Sequence, residues 1–123
     1  MPKAKTASVD FILQASRVMK TLGHPTRLEI GKLLRKGERS VAEIQKHLGM
    51  IQPLTSQHLR LMHRRGIVVC RRQGTTCFYS LAGELIFKVL GCLDECERAG
   101  IPVAVTGAVA AKSSAGKRRT ASK

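Results

Sequence analysis

The side chains able to do chemistry fall into two sets. Four thiols, Cys70, Cys77, Cys92 and Cys96, occupy the C-terminal half. A dense run of hydrogen-bonding and cationic groups fills Gln52 to Gly66, QPLTSQHLRLMHRRG. No Ser/His/Asp set, phosphate loop or paired-carboxylate motif accompanies them, so the sequence reads as a binding protein and not as an enzyme. The cysteines lack a CxxC pair and match neither a secreted disulfide framework nor a zinc-finger spacing. They are expected to be thiols in a reducing compartment, either inert or sensing.

The Gln52–Gly66 run has the pattern of a helix opened by Pro53, favoured in a first turn, and stopped by Gly66. Helical stepping from Pro53 turns Leu54, His58, Leu61 and Met62 inward, with Arg65 reaching past them to water. Ser56, Gln57, Arg60, His63 and Arg64 collect on the opposite side. Between Glu43 and Glu84 the chain has no acid, while it holds Lys46, Arg60, Arg64, Arg65, Arg71 and Arg72. A merely solvated helix would mix acids with bases. A helix that fits the major groove, with Ser and Gln to read base edges and Arg to reach bases or phosphate, needs this composition.

The surrounding sequence must position that helix. With 123 residues, one domain is expected, and a formal charge of +14 points to a polyanionic partner, nucleic acid before membrane. The N-terminus has no apolar leader and no run is long enough to span a bilayer, so the expected location is the cytoplasm, by the bacterial nucleoid. Residues 1–6 read as a basic arm. Phe11, Ala15, Val18 and Leu22 mark an amphipathic helix from Ala7 to Leu22. A second helix starts at His24-Pro25, with Leu28, Leu33 and Leu34 as buried candidates. Gly31 inside it costs on the order of 1 kcal/mol unless close packing compensates. Ser40 and Glu43 form a capping-box pattern for a third helix, with Val41, Ile44 and Leu48 inward. That helix, a tight turn and the Pro53 helix have the spacing of a helix-turn-helix.

Beyond Gly66 the period becomes extended. Ile67–Cys70 and Thr76–Tyr79 flank Gln73-Gly74, a hairpin signal, and Arg71, Arg72 and Gly74 make it a basic wing. A last helix, Ala82 to Ala99, holds half the acids of the chain. Its Leu85, Val89, Cys92, Cys96 and Ala99 repeat as a helix-pairing seam, flanked by Ile86, Leu90 and Leu93. The expected architecture is mainly α with a β-hairpin wing, in the order α1-α2-α3-α4-β-β-α5, over residues 7–99. It pairs as a homodimer through α5 and α1. Residues 100–123 read as a disordered basic tail able to hold DNA non-specifically.

With these elements placed, the sequence resembles the arsenic-repressor (ArsR/SmtB) family of bacterial transcriptional regulators. The resemblance rests on LGHPTRLEI, SVAEIQKHLGM, QPLTSQHLRLMHRRGIV and RRQGTTCFYSL, about half the chain. It implies a homodimeric winged-helix repressor on an inverted repeat, released by an inducer, with DNA contacts at Gln52, Ser56 and Gln57. The candidate DNA-contacting residues are therefore Gln52, Pro53, Thr55, Ser56, Gln57, Arg60, His63, Arg64, Arg71, Arg72 and Gly74. Ile51 departs from the small polar residue usual before that glutamine, so the cap there is weaker or supplied otherwise. The Cys-x-Cys of the arsenic sensors and the Asp/His pairs of the zinc sensors are missing.

The thiols keep more than one reading. Cys92 and Cys96, four apart, can gather arsenite or a soft metal ion, or react with an oxidant or reactive sulfur. They can equally be small apolar packing residues, and nearby Asp94, Glu95 and Glu97 disfavour the thiolate. Cys70 and Cys77 face each other if Gln73-Gly74 is a two-residue loop, and lie on opposite faces if the loop has three residues. His58 and His24 read as structural, and His47 as a phosphate contact at best. The competing classes are a non-sensing architectural DNA-binding protein, with affinity from the basic tail, and a thiol redox protein.

Overall fold

A computed structural model describes the backbone of residues 2–103 and the side chains of residues 9–103. Five helices and three short strands follow in the order α1 (Pro2–Leu22), α2 (Pro25–Arg35), β1 (Arg39–Ser40), α3 (Val41–Leu48), α4 (Gln52–Arg64), β2 (Val68–Gln73), β3 (Thr76–Leu81) and α5 (Glu84–Ala99). The helix-turn-helix, the wing and the final helix stand where the sequence puts them. Helix α1 starts at Pro2, within the stretch read as a basic arm. Of the stretch read as a basic tail, 100–123, residues 104–123 lie outside the described residues.

Residues up to Cys92 pack as one compact unit, and a second begins at Leu93. The core of the first gathers Leu22 from α1, Ile30, Leu33 and Leu34 from α2, Ile44 from α3, Leu59 and Met62 from α4, Val68 and Tyr79 from the sheet, and Ile86 and Leu90 from α5. Within that unit α5 docks on α2 at two glycines. A Cβ on Gly31 would lie 2.8 Å from a methyl of the fully buried Leu90, so the helix-weakening glycine is there for close approach. A Cβ on Gly91 would run into the Arg35 guanidinium, which donates to the Phe87 carbonyl at 3.2 Å and covers the Phe87 ring at 4.6 Å.

Each element around the turn has its own stop signal. Ser40 caps α3 by accepting from the Glu43 amide (3.1 Å), and the Glu43 carboxylate accepts from the Ser40 amide (2.8 Å), the expected capping box. Gly49, at φ 66°, ends α3. At the end of α4, Gly66 takes φ 76° and its amide donates to the His63 carbonyl, while the Ile67 amide donates to the Met62 carbonyl. This Schellman ending brings Ile67 onto Met62, both fully buried, and aims the chain into the wing. Gly100 and Ile101 close α5 in the same way, on the Glu97 and Cys96 carbonyls.

The sheet corrects the sequence reading twice. It has three strands, in the order β1-β3-β2, because Arg39 and Ser40 pair with Tyr79 and Phe78. Two residues are too few to show strand alternation, and Ser40 already reads as a helix cap. The hairpin loop is Gly74-Thr75, since Gln73 pairs with Thr76, one residue beyond the expected Gln73-Gly74. Cys70 therefore stands opposite Tyr79, and Cys77 opposite Arg72. The two cysteines are diagonal neighbours on one face, with Cα atoms 6.1 Å apart, and their sulfurs are bonded.

Replacing Gly31 by Ala is expected to lower the unfolding free energy by about 1–2 kcal/mol, overpacking against Leu90 outweighing the gain in helix propensity. Urea titration measures this. A neutral or stabilising result would show that Leu90 moves aside.

Candidate nucleic-acid interface

The rotation of α4 decides which groups reach a ligand. Its fully buried side chains are Thr55, Leu59 and Met62, at four-three spacing. Relative to the expected stripe the helix is turned by roughly 80° at 100° per residue, so that of that stripe only Met62 is buried. Leu54 is exposed, and His58 and Leu61 are half-buried. Thr55 replaces Leu54 inside at low cost, because its hydroxyl donates to the Ile51 carbonyl at 3.2 Å. Its side chain therefore belongs to the core, which removes it from the candidate contacts.

The outer face keeps the polar set. Gln52, Pro53, Gln57, Arg60, His63 and Arg64 are exposed, and Ser56 is half-exposed. Ile51 gives α4 no side-chain cap, so the first amides of the helix keep their hydrogen-bonding capacity for water or an anion. A shallow groove along this end is lined by Ile51, Gln52, Pro53, Leu54, Ser56, Gln57 and Arg60. Leu54 is a member that periodicity hides, because a leucine on a wheel is assigned to the core. In this position it offers an apolar contact of the kind that meets a thymine methyl.

A second groove joins α4 to α2 and is lined by Arg27, Gln57, His58, Arg60, Leu61 and Arg64. Arg27 was absent from the sequence candidates because a lone arginine in an amphipathic helix carries no signal. It donates from Nη1 to the Thr21 carbonyl (3.0 Å) and from Nε to Nδ1 of His58 (3.3 Å). His24 accepts from the Thr26 amide on its own Nδ1, capping α2, and its ring lies 4.7 Å from that of His58. His24 caps α2, as a helix-start residue should, whereas His58, expected in the core, is half-buried at the edge of this groove. Burial, then His24 and Arg27, hold the His58 imidazolium below its usual pKa.

In the wing the two arginines differ. Arg71 makes a two-pronged ion pair with Glu38 (2.9 and 2.8 Å), bonds Gln73 at 2.9 Å and lies over the Phe78 ring at 4.8 Å. The pair lowers the Glu38 pKa and raises that of Arg71. Arg72 is exposed, and its side chain has no hydrogen-bonded or ion-paired partner among the described residues. Gly74 forms the tip at φ 65°. Sequence equates the two cations; the structure makes Arg72 the available one, because Glu38 is far away in the chain.

The thiols separate similarly. Cys70 and Cys77 are half-buried and joined. On α5 Cys92 is exposed and Cys96 half-buried. Among the described residues no group of three or more His, Cys, Asp or Glu could hold a metal ion, and no helix is long and apolar enough to cross a membrane.

A helix-turn-helix with an acid-free outer face, continued by a three-stranded wing with an exposed arginine, defines a winged helix-turn-helix DNA-binding regulator. The profile of the bacterial regulatory protein arsR family matches residues 24–69, from the cap of α2 into β2. An HTH-type transcriptional regulator of Methanocaldococcus jannaschii is 36% identical over 83 residues, 67% of this chain and 93% of that protein. The biofilm growth-associated repressor of Xylella fastidiosa is 40% identical over 80 residues, 65% of this chain and 70% of that one. Among solved structures, a homodimeric winged helix-turn-helix DNA-binding domain from Mycobacterium bovis matches with a TM-score of 0.67 and 31% identity, over 76% of this chain and 87% of that chain. The transcriptional repressor BigR from Xylella fastidiosa matches with 0.67 and 31%, over 74% and 93%. The chain belongs to the arsR family of bacterial transcriptional regulators, and it is not an enzyme.

The lowered His58 pKa carries a sign. Between that value and the unfolded value near 6.5 the unfolded chain binds more protons, so the contribution is complete above about pH 6.5 and is lost as pH falls through the folded value. Urea unfolding between pH 7.5 and 5 should show stability falling, with a shallower fall in His58→Asn, whose amide oxygen can still accept from Arg27. Parallel pH dependences would show that His58 does not titrate with unfolding.

Proposed function

We propose that this protein is a homodimeric transcriptional repressor that binds an inverted-repeat operator through α4 and the wing and releases it when an inducer acts on its thiols. The observation that carries the reading is the outer face of α4, where Gln52, Ser56, Gln57, Arg60, His63 and Arg64 stand together without a carboxylate. Ser56 and Gln57 supply base-edge hydrogen bonds. Arg60, His63 and Arg64, with Arg72 and the Gly74 tip, supply phosphate contacts. Pro53 orients the first turn and Gln52 stands at its mouth. The M. bovis domain, a homodimer, and BigR, a transcriptional repressor, support the homodimer and repressor parts of this reading.

Dimerisation rests on apolar groups that one copy leaves outside. On α1, Phe11, Ile12 and Leu13 are exposed by 54, 63 and 50%. On α5, Phe87 and Leu93 are exposed, while Ile86 and Leu90, read from sequence as widening the seam, are buried in the copy's own core. A two-fold partner covering α1 and the outer side of α5 would bury such groups, and two α4 helices would then meet half-sites about one helical turn apart. The inducer class is thiophilic: arsenite, a soft metal ion, reactive sulfur or an oxidant, acting at Cys92 and Cys96 or at Cys70 and Cys77.

The test is selection of a duplex from a random pool by the reduced protein, followed by titration of variants. Gln57→Ala should narrow the gap between selected and random sequence by about 1–3 kcal/mol. Arg72→Ala should weaken both alike and reduce the salt slope by about one phosphate contact. Glu38→Gln, which releases Arg71, should tighten binding to both. Unchanged discrimination in Gln57→Ala would remove α4 from base readout. For release, the selected complex is challenged separately with arsenite, soft metal ions, polysulfide and peroxide. An agent that dissociates wild type but not a cysteine-pair variant identifies the sensing pair; no release by any agent would contradict thiol induction.

A further inference from the structure

We propose that Cys70 and Cys77 form a reversible thiol–disulfide switch that sets the DNA affinity of the wing. The inference rests on the regulator reading and adds the place and chemistry of its control. The two sulfurs are brought together by strand register, as diagonal neighbours on one face of the β2–β3 hairpin. In this register the loop is Gly74-Thr75, with Gln73 opposite Thr76. Both side chains are half-buried, so a small reagent can approach them.

The covalent ring closed by the bond runs from residue 70 to 77 and contains Arg72 and Gly74, the wing groups proposed to touch DNA. Bonding or separating the sulfurs changes how the strands are held at Arg72, which is the cross-strand partner of Cys77. The exchange chemistry balances in the same way whichever of the two cysteines attacks first.

The step balances with a low-molecular-weight disulfide as oxidant. Taken with Cys77 first, the Cys77 thiolate attacks one sulfur of that disulfide, breaking its bond and releasing one small thiolate, which takes up a proton. The Cys70 thiolate then attacks the Cys77 sulfur of the mixed disulfide, forming the 70–77 bond and releasing the second small thiolate. Two protein thiols lose two protons and two electrons, and one external disulfide becomes two thiols. An excess of small thiol runs the sequence backwards.

The experiment uses the full chain equilibrated in reduced and oxidised glutathione at graded ratios. Alkylation and peptide mass spectrometry report the 70–77 bond without any DNA. Wild type and Cys92→Ser/Cys96→Ser should form it and lose it reversibly. The Kd for the selected duplex should then differ at least about fivefold between the two forms, and not at all in Cys70→Ser/Cys77→Ser. By linkage, adding the duplex should shift the glutathione ratio at half-oxidation in wild type, by the amount that the Kd ratio requires. A pair that never bonds, or a bond that glutathione cannot reduce, would overturn the switch. A reversible bond with equal Kd in both forms would overturn it too, leaving the regulator reading intact. Failure of both forms to bind any duplex would instead overturn the regulator reading, while the thiol titration would still report on the pair.

Discussion

The burial of Thr55, Leu59 and Met62 along one side of α4 is the constraint on which the recognition surface depends. Those three side chains settle the rotation of the helix, and rotation alone decides which residues face outward. The Schellman ending continues the same anchor: Ile67 closes on Met62, and the chain enters the wing from a fixed point. At the far end of the wing base, the Ala82 amide returns to the Ile67 carbonyl at 2.9 Å. One buried stripe therefore orients both parts of the proposed interface, α4 directly and the hairpin through Ile67.

The rest of the fold holds that stripe in place. Capping at Ser40 and Gly49 fixes α3, and Ile44 meets the α4 side chains in the shared core. Helix α2 contributes Ile30, Leu33 and Leu34, and it gives up side-chain volume at Gly31 so that Leu90 of α5 can enter. The Arg27–His58 contact ties α2 to α4 at the surface, beside a groove lined by three arginines. An apolar aromatic core is not needed for this, which agrees with a chain that has no Trp and one Tyr. Short aliphatic side chains and glycine contacts do the packing.

The order of the helices and the hairpin was legible because its signals are local, whereas the two-residue β1 was not. Pro25 and Pro53 near helix starts, the Ser40/Glu43 box, and glycines at 49, 66 and 100 each act within one helical turn. The proposed interface was legible in composition, since an interval without acids needs no rotation to be seen. What sequence could not give were quantities set by distant partners. Thr55 looks polar until its hydroxyl finds the Ile51 carbonyl, and Leu54 looks buried until Thr55 has taken its place. Arg71 looks like a phosphate contact until Glu38, far away in the chain, clamps it. The hairpin register turned on one residue, and that residue separates an opposed cysteine pair from the diagonal, bonded one.

The most direct test of the central claim is backbone amide chemical-shift mapping of the reduced protein on its selected duplex. The largest changes are expected at Gln52, Ser56, Gln57 and Arg60, and in the wing between Arg72 and Thr76. Thr55, Leu59 and Met62 should report only through the backbone, with their side-chain methyl signals nearly unmoved. Changes concentrated on α1 and α5, with α4 silent, would contradict it and put the DNA on the face assigned here to the partner copy.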